Sequence, residues 1–133
     1  MPEPRIEITE AEIARVVARF YARIRAHPGL GPVFAKHVED WPAHEALVTD
    51  FWASAILGRP GYRGSPLKAH QEARDVRPGM FSPWLALFDM TLREELPPET
   101  AQAWSTLAHR IGRTLRAGVT ERETFEGGVP KLR

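Results

Sequence analysis

In four segments of this chain, apolar residues recur at the three- and four-residue spacing of a helix, and no segment alternates apolar with polar residues as a strand does. The four stripes cover residues 13–24, 41–55, 84–92 and 104–115. Prolines and glycines lie between them, where they end one helix and begin the next. The sequence therefore predicts an all-α fold with four substantial helices.

Several residues mark the ends of these predicted helices. Thr9 and Glu12 have the spacing of a capping box, so the first helix is expected to begin there. Asp40 and Ser82 are expected to cap the second and third helices, and Gly118 is expected to end the fourth. The short stretch 30–34, between the first two helices, is expected to form a single tight turn.

The composition limits the class of protein. The 133 residues suit a single domain, 1–133, in which 1–8 and 119–133 are expected to be flexible tails. The net charge of +1 predicts no nucleic-acid partner. Cysteine is absent, which excludes disulfides and thiolate metal sites. No signal peptide or membrane-length apolar run is visible, so we expect a cytoplasmic protein without a membrane partner.

Residues 57–83 form a glycine- and proline-rich connection that carries a short predicted helix. Ser65 is a good N-cap, and Pro66 suits the first helical position, where no backbone N–H is needed. His70 then lies in the second turn of this helix. Because long connections in compact domains usually serve a function, this segment is the first candidate for a site.

A second histidine, His44, shares the apolar face of the second predicted helix with Leu47 and Val48. A lone histidine on such a face is more often a core residue than a ligand. Together, however, His44 and His70 are able to face each other across an apolar gap. A flat cofactor with a central metal fits such a gap, and iron porphyrin held by one histidine is the obvious case. The predicted walls are Phe34, Val48, Phe51, Leu67, Trp84 and Phe88.

Short motifs along the chain also carry a family resemblance. They are Phe20-Tyr21, Leu30-Gly31-Pro32-Val33-Phe34, Trp41-Pro42-Ala43-His44, Asp50-Phe51-Trp52, Gly61-Tyr62-Arg63-Gly64-Ser65-Pro66-Leu67-Lys68-Ala69-His70 and Pro83-Trp84-Leu85-Ala86-Leu87-Phe88. With these motifs the chain resembles the group III truncated haemoglobins, bacterial globins of two-over-two helical build, over residues 13–115. The glycine-pair motifs of the other truncated groups are missing, which favours group III.

The resemblance implies a haem b cofactor and makes His70 the proximal iron ligand. A neutral imidazole ligand needs a partner on its other nitrogen, and a backbone carbonyl near Pro66 or Leu67 is expected to serve. The predicted cofactor contacts are Phe34, Leu47, Val48, Phe51, Tyr62, Arg63, Leu67, Lys68, Phe88 and Ile111.

The resemblance also places Tyr21, His44 and Trp84 on the distal side, around a bound gas. Singly, Tyr21 and Trp84 are typical of a helical core. As a group, the O–H of Tyr21 and the N–H of Trp84 are donors that stabilise negative charge on bound oxygen. Several distal donors hold oxygen tightly, which suits a scavenger, sensor or redox catalyst better than a carrier.

Three hypotheses about function remain open. The first is a haem globin that binds oxygen, nitric oxide or carbon monoxide. The second is an enzyme on the same scaffold that oxidises nitric oxide or handles peroxide, with a reductase as partner. The third is a cofactor-free helical interaction protein whose histidines are core residues. A red colour on purification separates the third hypothesis from the other two.

Overall fold

The computed structural model describes residues 6–62 and 64–127, with side chains described as far as residue 123. Its α-helices are α1 (Glu10–Ala26), α2 (Gly31–His37), α3 (Trp41–Leu57), α4 (Pro66–Glu72), α5 (Phe81–Glu95) and α6 (Pro98–Gly127). A single 3-10 turn, Pro78–Met80, leads into α5. No strand occurs within these residues, so the all-α prediction is confirmed.

The predicted capping residues begin α1 and α3. Thr9 Oγ1 accepts a hydrogen bond from the backbone N–H of Glu12 at 3.1 Å, and the Glu12 carboxylate accepts one from the backbone N–H of Thr9 at 2.9 Å. The Asp40 carboxylate accepts from the backbone N–H of Ala43 at 3.0 Å. Gly58 ends α3 with a φ of 70°, in the left-handed region that favours glycine.

Two predicted boundaries are wrong. The stretch expected to be a single tight turn is the start of α2, a helix of seven residues. Ser82 is not the cap of α5, because the helix begins one residue earlier. Met80, at the end of the 3-10 turn, already has helical backbone angles (φ −77°, ψ −19°), so the chain enters α5 without a side-chain cap.

Both predicted tails are partly wrong as well. Gly118 does not end α6, because the helix continues to Gly127 and buries Val119 completely. Burial of an apolar side chain contributes more than the roughly 1 kcal/mol that a glycine costs inside a helix. Ile6 and Ile8 pack against the core, so this part of the N-terminal arm is not loose. Residues 1–5 and 128–133 of these predicted tails lie outside the described part of the chain.

The helices pack as two pairs. α1 packs on α3, α5 packs on α6, and α1 joins the pairs by packing on α5. This is the two-over-two arrangement that the sequence resemblance implies. Between the pairs lies an apolar core whose largest fully buried side chains include Trp104, Phe20, Phe88, Ile13 and Ile24. Within the described ranges, no helix is both long and apolar enough to cross a membrane.

Candidate functional site

A cavity of about 510 Å³ opens between the helices, and every helix contributes to its wall. Its volume lies within the range of about 300–1,000 Å³ that is usual for ligand sites. Its lining is mostly aliphatic and aromatic. Tyr21, His44, His70 and Trp84 all line this one cavity, although they come from four different helices.

α4 brings His70 to the cavity wall. Ser65 Oγ accepts a hydrogen bond from the backbone N–H of Lys68 at 3.1 Å, and Pro66 occupies the first turn, as the sequence predicts. The helix then runs for two turns to Glu72, with His70 in its second turn. A short, capped helix therefore delivers one imidazole to the cavity.

The tautomer of His70 follows from one hydrogen bond. Its Nδ1 lies 2.6 Å from the carbonyl oxygen of Pro66, which confirms the expected partner. A carbonyl oxygen only accepts, so Nδ1 carries the proton and Nε2 keeps its lone pair. Burial lowers the pKa of His70, although the bond to Pro66 opposes this shift, so the ring is mainly neutral at neutral pH. A neutral imidazole of fixed tautomer is a good metal ligand.

His44 presents an unsatisfied nitrogen. Its Nε2 is buried and has no hydrogen-bond partner within the described part of the protein. The ring packs edge-on against Tyr21 and Trp41, at centroid distances of 5.0 and 5.8 Å. Burial also lowers the pKa of His44, so this ring is mainly neutral too. An unpartnered buried nitrogen costs about 1–3 kcal/mol, which a polar ligand in the cavity would recover.

Tyr21 and Trp84 are packed into the cavity wall by burial and by ring contacts. Tyr21 is only 4% exposed, and burial, with a smaller effect of the Glu45 carboxylate, raises the pKa of its phenol. The phenol therefore keeps its proton and remains a donor. Trp84 stacks on Phe88 with ring planes 4° apart and meets Phe20 edge-on, at centroid distances of 5.8 and 5.5 Å. These two ring contacts restrict the orientation of the indole.

The predicted cofactor contacts divide between the cavity and its surroundings. Phe88 is 1% exposed and lies behind Trp84, so it supports the cavity wall. Leu67 packs into a separate apolar cluster, and Lys68 is exposed on α4. Arg63 lies outside the described residues. The predicted contacts that do line the cavity are Phe34, Leu47, Val48, Phe51, Tyr62 and Ile111.

One feature of the cavity was not predicted from the sequence. His37, at the end of α2, lines the cavity, and its Nε2 lies 2.6 Å from Oδ1 of Asp75, which follows α4. Lys36 Nζ lies 3.9 Å from the other carboxylate oxygen. The hydrogen bond from His37 holds the pKa of the Asp75 carboxyl below its usual value. No local signal predicts this contact, because its partners are 38 positions apart.

The donor set fits iron porphyrin. Nowhere in the described ranges do three or more His, Cys, Asp or Glu side chains form a group able to hold a metal ion. Iron porphyrin brings its own equatorial nitrogens and needs only an axial ligand from the protein. The lone pair of His70, the unsatisfied nitrogen of His44 and the apolar lining between them match that requirement.

Comparisons with known proteins point the same way. Over 89 residues, the sequence is 35% identical to the group 3 truncated haemoglobin ctb of Campylobacter jejuni subsp. jejuni serotype O:2, which covers 64% of this chain and 70% of that protein. The crystal structure of the group III truncated haemoglobin from Campylobacter jejuni matches with a TM-score of 0.80 at 29% identity, covering 85% of this chain and 92% of that one. No family model matches the sequence. Sequence and fold together show that this chain belongs to the group III truncated haemoglobins.

Proposed function

We propose that this protein binds haem b through His70 and holds a diatomic gas among Tyr21, His44 and Trp84. Its family supports a globin-type function of haem and gas binding. The haem iron would supply the site at which oxygen, nitric oxide or carbon monoxide binds. The protein would supply the axial nitrogen, the apolar walls and the polar groups around the gas.

The observation that carries this proposal is the bond between His70 Nδ1 and the Pro66 carbonyl. It leaves the Nε2 lone pair available for a metal at the cavity wall. It also raises the basicity of the imidazole, as partners on the second nitrogen of ligating histidines do.

The distal residues would act as hydrogen-bond donors. The protonated phenol of Tyr21 and the indole N–H of Trp84 can each donate, and an indole nitrogen cannot accept. Nε2 of His44 is the third polar atom of this group, and it has no hydrogen-bond partner among the described residues. Fixed donors in an apolar site stabilise a polar ligand such as oxygen far more than carbon monoxide.

The direct test is a visible spectrum of the purified protein, with and without reductant and carbon monoxide. We expect a Soret band that shifts on reduction and shifts again on adding carbon monoxide. If the protein is colourless as purified, added haemin should produce the same bands. A protein that stays colourless with excess haemin would contradict the proposal.

Nitric oxide oxidation is a second candidate. It is favoured by the group of Tyr21, His44 and Trp84 in the cavity wall, since a site that holds oxygen tightly suits redox chemistry better than transport. Stopped-flow mixing of the oxygenated protein with nitric oxide, with a reductase supplied, distinguishes the two. Repeated turnover to nitrate would indicate an enzyme, whereas simple gas exchange would indicate a binding protein.

Haem is expected to raise the melting temperature of the protein. Large voids are poorly tolerated in protein interiors, and haem would fill this one while binding only the folded state. At a free concentration of 100 times Kd, such binding stabilises by about 2.7 kcal/mol. For a domain of this size, that corresponds to a rise of roughly 10 °C. Differential scanning calorimetry of the apo and haemin-loaded protein measures it.

Iron-free protoporphyrin is the matched control for this melting experiment. It has the same ring and propionates but cannot accept the lone pair of His70, so we expect a smaller rise. Equal melting of the apo and haemin-loaded forms would show that the cavity is not built around this cofactor. Equal rises with haemin and protoporphyrin would show that the axial bond adds no stability.

A further inference from the structure

α4, the helix that bears His70, is short and buries little of its own surface. It has seven residues, and none of them is fully buried. Isolated helices of this length are not stable in water. Within the described part of the chain, α6 is the only helix that packs closely against it. The direction of the His70 ring therefore depends on how α4 is attached to α6.

The side chain of Arg122, on α6, binds the C-terminal end of α4. Its Nη1 donates to the carbonyl oxygens of Ala73 at 2.9 Å and Gln71 at 3.3 Å, and its Nη2 donates to that of Val76 at 2.9 Å. The side chain is only 8% exposed. The last carbonyls of a helix lack partners within the helix, and a cation is favoured at that end. One guanidinium thus joins the end of α4 to the loop that follows.

A second contact lies one turn earlier on α6, at Gly118. A Cβ built on this residue would lie 2.3 Å from Cδ1 of Leu67, so the Leu67 side chain packs directly against this glycine and would have to move for a larger residue. Nε2 of Gln71 donates to the Gly118 carbonyl oxygen at 3.3 Å. Leu67 and Gln71 flank His70 in sequence, so α6 holds α4 on both sides of the histidine.

The charge of Arg122 is partly compensated at this position. The Glu123 carboxylate lies 3.3 Å from its Nη2 and also pairs with Arg77, which follows α4, at 3.1 Å. Carbonyl oxygens and one carboxylate therefore accept hydrogen bonds from both terminal nitrogens of a largely buried guanidinium. Such a fork-shaped, multiply bonded contact is geometrically specific, and a lysine ammonium does not reproduce it.

From these contacts we infer that Arg122 is a positioning residue for His70. By holding the end of α4 against α6, it would set the direction in which the imidazole presents Nε2 to the cavity. Gly118 would leave room for the Leu67 side chain one turn away from this contact. The inference rests on the proposed role of His70 as the proximal ligand, but the anchoring of α4 itself can be measured without the iron.

The first test is hydrogen exchange in the full-length protein, followed by mass spectrometry. We expect Arg122→Ala to speed exchange in peptides covering 66–76 about 10- to 100-fold, because each bond from a charged donor is strong. Exchange in α1 should stay the same. Arg116→Ala, an exposed arginine on the same helix, is the control and should change neither region. Unchanged exchange in 66–76, or equal acceleration in α1, would overturn the inference.

The second test is the iron–histidine stretching band of the reduced protein in resonance Raman spectra. In Arg122→Ala we expect this band to shift and broaden, and haem to pass about 10-fold faster to an excess of apoglobin acceptor. Arg122→Lys should give a smaller change in both, and it replaces the alanine variant if that variant does not fold. A wild-type protein without this band would refute the role of His70, whereas an identical band in wild type and both Arg122 variants would refute only the inference about Arg122.

Discussion

Replacing His70 with alanine is expected to remove the axial bond to the haem iron and to weaken haem retention severely. Loss of an outer partner of a metal ligand typically costs about 10- to 100-fold in affinity, so loss of the ligand itself should cost more. The vacated space lies on the cavity wall beside Phe81 and is large enough for free imidazole. Spectra of the reduced and carbon-monoxide forms, with and without imidazole, measure the loss and its rescue.

His44→Ala is the matched control, because His44 is also a neutral histidine in the same cavity wall. This variant should keep its haem and change only the kinetics of gas binding. Spectra of the reduced and carbon-monoxide forms that are unchanged in His70→Ala would show that the assignment is wrong. If His44→Ala instead lost its haem, the roles of the two histidines would be reversed.

Removing either distal donor is expected to speed oxygen release by about 10- to 100-fold. A hydrogen bond involving a charged group contributes about 1.5–3 kcal/mol, and each 1.4 kcal/mol is about a factor of ten. Tyr21→Phe removes only the hydroxyl group, and Trp84→Phe keeps an aromatic ring against Phe88. Stopped-flow measurement of oxygen dissociation gives the rates, with carbon monoxide dissociation as the control.

The pattern across the two gases distinguishes donation from steric effects. Carbon monoxide carries less charge, so its dissociation should change little in either variant. Comparable acceleration of both gases would mean that the substitutions opened a path for escape. Oxygen dissociation unchanged in both single variants would remove Tyr21 and Trp84 from the gas site. In the double variant, the increase in the rate of oxygen dissociation should be smaller than the product of the two single increases, because donors in one network substitute for each other.

Two long-range contacts attach the loop that follows α4 to the rest of the fold. The hydrogen bond of His37 with Asp75 joins α2 to the loop after α4, and the Arg122 guanidinium joins the same loop to α6. The segment that carries His70 is thus attached to both sides of the fold. The proposed ligand His70 would gain from such attachment, because the hydrogen bonds of a seven-residue helix do not by themselves keep that helix in place.

The sequence by itself determined the local features of this protein. The capping box of Thr9 and Glu12, the caps at Asp40 and Ser65 and the position of His70 in its helix were all predicted correctly. Each depends on partners no more than four positions apart, so the backbone geometry of one helical turn brings them together. The expected carbonyl partner of His70 is also a local feature, since Pro66 is four positions before it.

Tertiary structure alone decided which inward-facing residues line the cavity and where α6 ends. Helical spacing shows that Phe88 points inward, but only packing shows that Trp84 stands between it and the cavity. Gly118 looks like a helix end in sequence. In the folded protein it is the point at which α4 approaches α6, and the helix continues because Val119 and Arg122 find partners from distant parts of the chain. Those partners do not lie near Gly118 in sequence, so no local pattern predicts that α6 is stabilised beyond this glycine.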